Sequence, residues 1–253
     1  MMQVWKTTSC WLDRRRVLTG QTIGFVPTMG ALHRGHASLV ERCRRENDVV
    51  VVSIFVNPSQ FNDPNDLERY PRTFENDLAM LESLGTDELF APNVSELYPH
   101  GYRFRMEEES VTNLMEGAHR PGFLQGVMTI VLKLLNLVRP DRAYFGEKDY
   151  QQLKAITDMV NDFFIPTEII PCPTVREESG LAESSRNMLL SAAARHNAAC
   201  LFRALSSAGT ANDAKAVLES EGFTVDYVEE HWGRRFAAAS VDGVRLIDNV
   251  RVS

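Results

Sequence analysis

The chain has little of what marks an exported, membrane-bound or nucleic-acid-binding protein. Its 253 residues include four cysteines. Cys10, Cys43, Cys172 and Cys200 form no Cys-x-x-Cys pair, and each lies in or beside an apolar segment, so they read as buried, reduced thiols of a cytoplasmic protein. No apolar run of signal-peptide length accompanies the basic Arg14-Arg15-Arg16, and none approaches a membrane span. Positive charge is also short. Against 34 Asp and Glu there are 27 Lys and Arg, a net charge of -7, which argues against general nucleic-acid binding and requires any anion site to be a local basic pocket. There is no Gly-x-x-x-x-Gly-Lys-Ser/Thr loop, no Gly-x-Ser-x-Gly elbow and no reactive cysteine paired with histidine. Internal repeats, low-complexity tracts and heptads are missing too.

What is present is alternation. Ile23 to Val26, Val49 to Val56, Leu89 to Ala91, Ala143 to Phe145 and Glu168 to Ile170 read as short strands separated by helical patterns, which predicts an α/β fold with a parallel sheet and crossover helices. Val127 to Val138 is apolar nearly all round and reads as a buried helix. Lys148 to Phe163 carries Leu153, Ile156, Val160 and Phe163 at helical spacing. Beyond Val175 the pattern changes to an Ala-rich helix over Ser191 to Ala208, a second over Asn212 to Glu221, and three short strands, the last two flanking the turn signal Asp242-Gly243. The chain length suits one medium and one small domain; the expected division is residues 1–174 and 175–253, the second being a small α+β domain.

Open parallel sheets bind ligands beyond the carboxyl ends of their strands; three motifs fall there, and a fourth lies just beyond the expected domain boundary. Pro27-Thr28-Met29-Gly30-Ala31-Leu32-His33-Arg34-Gly35-His36 joins the first strand to an amphipathic helix carrying Leu39, Val40 and Cys43. A helix start offers unpaired N–H groups and partial positive charge to phosphate oxygens. Histidines three residues apart on one helix face can both reach such a ligand. The same pair could also be surface residues or part of a metal site. Asn57-Pro58-Ser59-Gln60-Phe61-Asn62-Asp63-Pro64 follows the next strand; Asn57 and Gln60 can each donate and accept, which suits hydroxyls and a carboxylate, although its composition is also that of a plain turn. Gly146-Glu147-Lys148-Asp149 ends another strand and opens a helix, offering Lys148 to a phosphate, with Gln152 one helical turn further on. Ser184-Ser185-Arg186-Asn187 has two hydroxyls and a guanidinium suited to phosphate, and could close over a nucleotide or simply cap a helix.

Taken together, Pro-Thr-Met-Gly-Ala-Leu-His-Arg-Gly-His, Val-Ser-Ile-Phe-Val-Asn-Pro-Ser-Gln-Phe, Tyr70-Pro71-Arg72, Phe-Gly-Glu-Lys-Asp-Tyr-Gln-Gln and Ser-Ser-Arg-Asn resemble the pantoate–β-alanine ligase family in order and spacing, over nearly the whole chain. The resemblance implies a Rossmann-like nucleotidyl-transfer domain with a small C-terminal lid, usually in a homodimer. It also implies the condensation of pantoate with β-alanine through pantoyl adenylate, using ATP with Mg²⁺. Carried over by position, Met29, Gly30, His33, His36, Gly146, Glu147, Lys148, Asp149, Val175, Glu183, Ser184, Ser185 and Arg186 line the ATP site. His36, His33, Lys148 and Arg186 would be catalytic, with Gln60, Gln152, Asn57 and Met29 around pantoate and β-alanine. The chain departs from the family at Gly122-Phe123-Leu124-Gln125-Gly126-Val127, where the family usually has Gly-His-Phe-Arg-Gly-Val, in the segment after Arg120. It also carries Glu183 where an apolar residue usually precedes Ser-Ser-Arg-Asn, and its C-terminal domain looks shorter. Two other readings are a nucleotidyltransferase acting on a phosphate ester, against which the few arginines near Asn57 and Gln60 argue, and a catalytically impaired nucleotide-binding homologue.

Overall fold

The computed structural model describes residues 1–252, which divide into two compact units. The first comprises residues 1–146 and 151–172. Its strands are β1 (Gln3–Trp5), β2 (Ile23–Thr28), β3 (Val49–Ile54), β4 (Glu88–Phe90), β5 (Arg142–Gly146) and β6 (Glu168–Cys172). They form one parallel sheet in the order β1-β4-β3-β2-β5-β6. The expected α/β class is therefore observed. β2 and β3 are buried along almost their whole length, as a strand covered on both faces must be, and this accounts for their continuous apolar sequences.

The strand order fixes where a ligand can enter. From β2 the chain winds outward through β3 to β4 and then returns to place β5 on the other side of β2. Crossovers leaving in opposite directions open a crevice at the carboxyl ends of β2 and β5, the switch point of a doubly wound sheet. The turn starting at Met29 leaves from one of these ends, and Gly146 lies at the other.

The helix after β2 spans Arg34–Glu46 and buries Leu39, Val40 and Cys43. The helix Phe123–Val138 begins four residues before the expected Val127, and ten of its residues are buried. Tyr150–Asp162 stops short of Phe163, which is 59% exposed and so leaves the apolar stripe on which its spacing had put it. Cys10 is exposed as well, contrary to expectation, while Cys43, Cys172 and Cys200 are buried. The strand β1, only three residues long, carries no period-2 pattern to announce it. It is held from outside itself: Glu88 accepts from Trp5 Nε1 at 2.6 Å and from Arg14 Nε at 2.7 Å.

The second unit comprises Glu147–Tyr150 and the chain from Pro173 onward. β7 (Thr224–His231), β8 (Arg234–Val241) and β9 (Val244–Arg251) form an antiparallel meander. At the β8–β9 turn Asp242 and Gly243 have φ of 52° and 73°, the positive pair a type I′ hairpin requires. The expected single helix over Ser191 to Ala208 is two, Ala192–Ala198 and Cys200–Ser207, separated by a turn at Ala199. Splitting there lets Ala198 and then Leu201 and Leu205 face the same core, which also contains Leu218, Phe223 and, from β8, Ala237 and Ala239. Among the described residues no helix is long and apolar enough to cross a membrane.

Candidate active site

The segment after β2 is shaped by one buried carboxylate. Thr28 donates from its hydroxyl to the Ser53 carbonyl at 2.7 Å and accepts from Gly30 N at 3.2 Å, which starts the turn. Ala31, at φ 50°, and Leu32 then point their N–H groups at Asp77, donating to Oδ2 at 3.0 Å and Oδ1 at 2.9 Å. Thr73 adds a hydroxyl donor at 3.1 Å. Asp77, buried on the helix Phe74–Ser83, thus satisfies the backbone of the turn that delivers the histidines.

Those histidines do not share a helix face as residues within one helix. His33 is the N-cap of Arg34–Glu46, and His36 is the third helical residue. His33 Nδ1 accepts from Gly35 N at 3.1 Å and His36 Nδ1 accepts from His33 N at 3.4 Å, a histidine version of the capping box. The rings lie 4.1 Å apart, tilted by 47°. Because each Nδ1 accepts from backbone, the proton of each neutral ring sits on Nε2. Two N–H donors are thereby presented beside a helix N-terminus, an arrangement that suits phosphate oxygens.

The loop after β3 is equally constrained. Asn57 is 1% exposed. Its Nδ2 donates to Gln60 Oε1 at 3.0 Å and to the Gly126 carbonyl at 3.1 Å, while its Oδ1 accepts from Ser59 Oγ at 2.9 Å and Tyr98 Oη at 3.0 Å. Gln60 Nε2 is left to approach Met29 Sδ at 3.0 Å. Gly126 has to be glycine: a Cβ there would collide with the backbone of Ser59 and Gln60, so the loop rests directly on the helix. Arg120 fastens it from another side, donating to the Gln60 carbonyl at 3.4 Å, pairing with Glu116 at 3.5 Å and stacking its guanidinium 3.7 Å from the centre of the Phe123 ring. Phe123 thus supplies a cation–π surface. Gln152 is half-buried on Tyr150–Asp162, whereas its neighbour Gln151 turns inward and donates to the carbonyls of Val111 at 2.7 Å and Leu114 at 2.8 Å.

In the second unit Glu147–Asp149 is a 3₁₀ turn preceding the helix, so Lys148 and Gln152 do not lie one turn apart on a single helix as expected. Asn249 Nδ2 donates to the carbonyls of Glu147 and Lys148, each at 2.9 Å. Arg234 donates to Asn249 Oδ1 at 2.7 Å and to Glu147 Oε2 at 2.7 Å, with its guanidinium 4.1 Å from the Tyr150 ring centre. Lys148 Nζ lies 3.5 Å from Asp149 Oδ1. The backbone carbonyl of Val175 accepts from Glu183 N at 2.9 Å, which brackets the loop between them. Ser184 caps the short turn Ser185–Leu189 by accepting from Arg186 N at 3.3 Å, whereas the helix Ala192–Ala198 is capped by Ser191. Asn187 is anchored to Glu177 Oε1 and the Ala182 carbonyl, both at 3.0 Å.

The structure therefore brings Met29, Asn57 and Gln60 into one hydrogen-bonded cluster and His33 and His36 into a ring pair within the first unit. In the second it ties Glu147 and Lys148 to β9 and sets Val175 and Glu183 at the neck of one loop. Sequence reasoning missed the residues that orient these: Asp77, Tyr98, Gly126, Arg234 and Asn249.

The model of the pantoate-beta-alanine ligase family matches residues 1–251. A protein of Bdellovibrio bacteriovorus named pantothenate synthetase is 52% identical over 252 residues, covering 100% of both chains. The crystal structure of a pantoate-beta-alanine ligase from Francisella tularensis, complexed with beta-gamma ATP and beta-alanine, superposes with a TM-score of 0.95 at 43% identity, covering 99% of this chain and 98% of that one. Pantothenate synthetase from Thermus thermophilus gives 0.92 at 44% identity with 99% of each chain covered. A match along the full length, at close to half identity and on the same backbone, means that this chain belongs to the pantoate-beta-alanine ligase family.

Proposed function

We propose that this chain condenses pantoate with β-alanine at the expense of ATP, giving pantothenate, AMP and pyrophosphate through pantoyl adenylate. The observation that carries the reading is the pair of Nε2 donors on His33 and His36 at a helix start beside the switch point of the sheet, together with the Gln60 amide that approaches Met29 of the same segment. In the first step a pantoate carboxylate oxygen bonds to the α-phosphorus and the bond to the pyrophosphate oxygen breaks. In the second, the β-alanine amine attacks the acyl carbon and AMP leaves with the carboxylate oxygen bonded to phosphorus. No protein nucleophile is needed, so positioning and charge stabilisation carry the catalysis.

Within this scheme His36 and His33 donate to phosphate oxygens as charge develops, and His36 serves as acid toward the leaving pyrophosphate. Met29 and Gly30 line the nucleotide with Gly146, Glu147 and Asp149, Asp149 reaching the ribose. Lys148 meets a phosphate, Val175 flanks the adenine, and Ser184, Ser185 and Arg186 act on the triphosphate. Glu183 repels it unless turned away. Gln60 and Gln152 hold pantoate, Asn57 supporting them. Among the described residues no three His, Cys, Asp or Glu side chains gather as a metal cage. A Mg²⁺ carried on the substrate phosphates would supply charge neutralisation there. The family likeness further supports a homodimeric, cytoplasmic enzyme, and the negative net charge supports small molecules as its partners.

The test is pantoate-dependent exchange of pyrophosphate into ATP with Mg²⁺ and no β-alanine. Exchange that requires pantoate, followed by AMP release on adding β-alanine, is the expected result. Absence of exchange at saturating pantoate, with pyrophosphate released from ATP only when a phosphate ester such as phosphopantetheine is supplied as acceptor, would refute the reading.

A further inference from the structure

The Asn57 amide sits among four polar groups that leave it one orientation. The Gly126 carbonyl can only accept, so Asn57 must turn its NH₂ toward it. The other hydrogen of that NH₂ goes to Gln60, which must therefore present its oxygen. Asn57 Oδ1 is then left facing the hydroxyls of Ser59 and Tyr98, which donate to it. Followed to its end, this chain turns Gln60 Nε2 away from Asn57, toward Met29. Gln60 is thereby presented as a donor, suited to a carboxylate or hydroxyl oxygen.

The two hydroxyls that fix Asn57 Oδ1 are not equivalent. Ser59 belongs to the same three-residue turn as Gln60, Pro58–Gln60, and moves with it. Tyr98 comes from a separate segment, 41 residues along the chain. Its ring is buried, 4.4 Å from the Tyr102 ring and 6.3 Å from that of Phe55. The Lys133 ammonium lies 4.4 Å from its centre and donates to the neighbouring Leu97 carbonyl at 2.6 Å. Burial raises the phenol pKa above its ordinary value, so the hydroxyl remains a donor at neutral pH.

We propose that Tyr98 is a positioning residue for the acid substrate: its hydroxyl, held by a rigid aromatic setting, fixes the Asn57 amide and through it the donor face of Gln60. The proposal rests on the reading of Gln60 as a pantoate-binding side chain. Nothing in it requires Tyr98 to touch pantoate, and the hydroxyl can be removed while the ring contacts with Phe55, Tyr102 and Lys133 remain.

The experiment is Tyr98→Phe, measured in pantoate-dependent ATP–pyrophosphate exchange alone and on a Gln60→Ala background, with a thermal unfolding scan of each variant. Loss of the hydroxyl, which removes its hydrogen bond to Asn57 Oδ1 and its 3.3 Å contact with Ser59 Oγ, is expected to raise the KM for pantoate about three- to tenfold. The KM for ATP and the thermal midpoint should stay near those of the unaltered enzyme, and Tyr98→Phe should add nothing once Gln60 is alanine. If Gln60→Ala weakens pantoate while Tyr98→Phe leaves its KM unchanged, or acts equally in both backgrounds, the proposal is overturned alone. If Gln60→Ala itself leaves the pantoate KM unchanged, the role of Gln60 falls and the proposal with it.

Discussion

Replacing Asp77 with alanine should loosen the histidine-bearing turn more than the rest of the fold. The carboxylate accepts two backbone N–H groups, from Ala31 at 3.0 Å and Leu32 at 2.9 Å, and the Thr73 hydroxyl at 3.1 Å. A hydrogen bond to a charged acceptor contributes roughly 1.5–3 kcal/mol. The carboxylate also holds Ala31 at φ 50°, a left-handed conformation that costs roughly 1 kcal/mol for a residue with a Cβ. Water entering the space left by the side chain would restore part of this, so a local loss of about 3–4 kcal/mol is expected. Because the chain has two units, a single global unfolding curve would blur the effect. Amide hydrogen exchange on the peptide covering residues 28–40 reads it directly, since opening the turn exposes the Ala31 and Leu32 amides. Asp77→Asn keeps one acceptor oxygen and turns an NH₂ toward the other amide, so it should lose at least half as much protection. Turnover should fall in both variants because the His33–His36 ring pair hangs on this turn. Unchanged protection in Asp77→Ala, or full protection and activity in Asp77→Asn, would refute the argument that this carboxylate shapes the site.

Three further outcomes follow from the same geometry. His36→Ala should lower AMP formation at least about a hundredfold, as loss of an acid or charge-stabilising donor does, while loss of its 3.4 Å capping bond costs the helix no more than about 1 kcal/mol; equal activity would remove His36 from catalysis. Asn249→Ala frees the carbonyls that bracket Lys148 and should lower kcat about tenfold. Steady-state rates in a cycle with Lys148→Ala should show the two effects overlapping, and additive effects would mean that Asn249 does not act through the lysine. Thiol labelling at pH 8 should modify Cys10 alone in the folded protein and all four cysteines in denaturant. Burial pushes the Cys43 thiol up to about 12, leaving it protonated and unreactive. Rapid native labelling at Cys43 or Cys172 would contradict their burial.

What the sequence made legible is what is local. The β-branched run Val49 to Val52 and the residues Ile23 to Val26 announced central strands because burial on both faces leaves no alternative composition, and the turns after them carried the motif residues with them. β1 escaped because three residues cannot show a period, and what holds it is Glu88, contributed by a partner strand. Phe163 was misread because the apolar spacing runs one residue past the helix end at Asp162. The same distinction divides the site. His33, His36, Asn57, Gln60 and Lys148 stand in short motifs, whereas the groups that orient them arrive from afar: Asp77 from 45 and 46 residues away, Tyr98 from 41 and Asn249 from 101. No spacing rule links such pairs, yet one of them left a trace. Phe74, Leu78 and Leu81 form the inward stripe of the helix Phe74–Ser83, and Asp77 falls on that stripe. A carboxylate on an apolar helix face has to be satisfied by donors from elsewhere in the fold. Here those donors are the backbone amides that set the histidines, so the charge on this apolar stripe marks where the helix supports the chemistry.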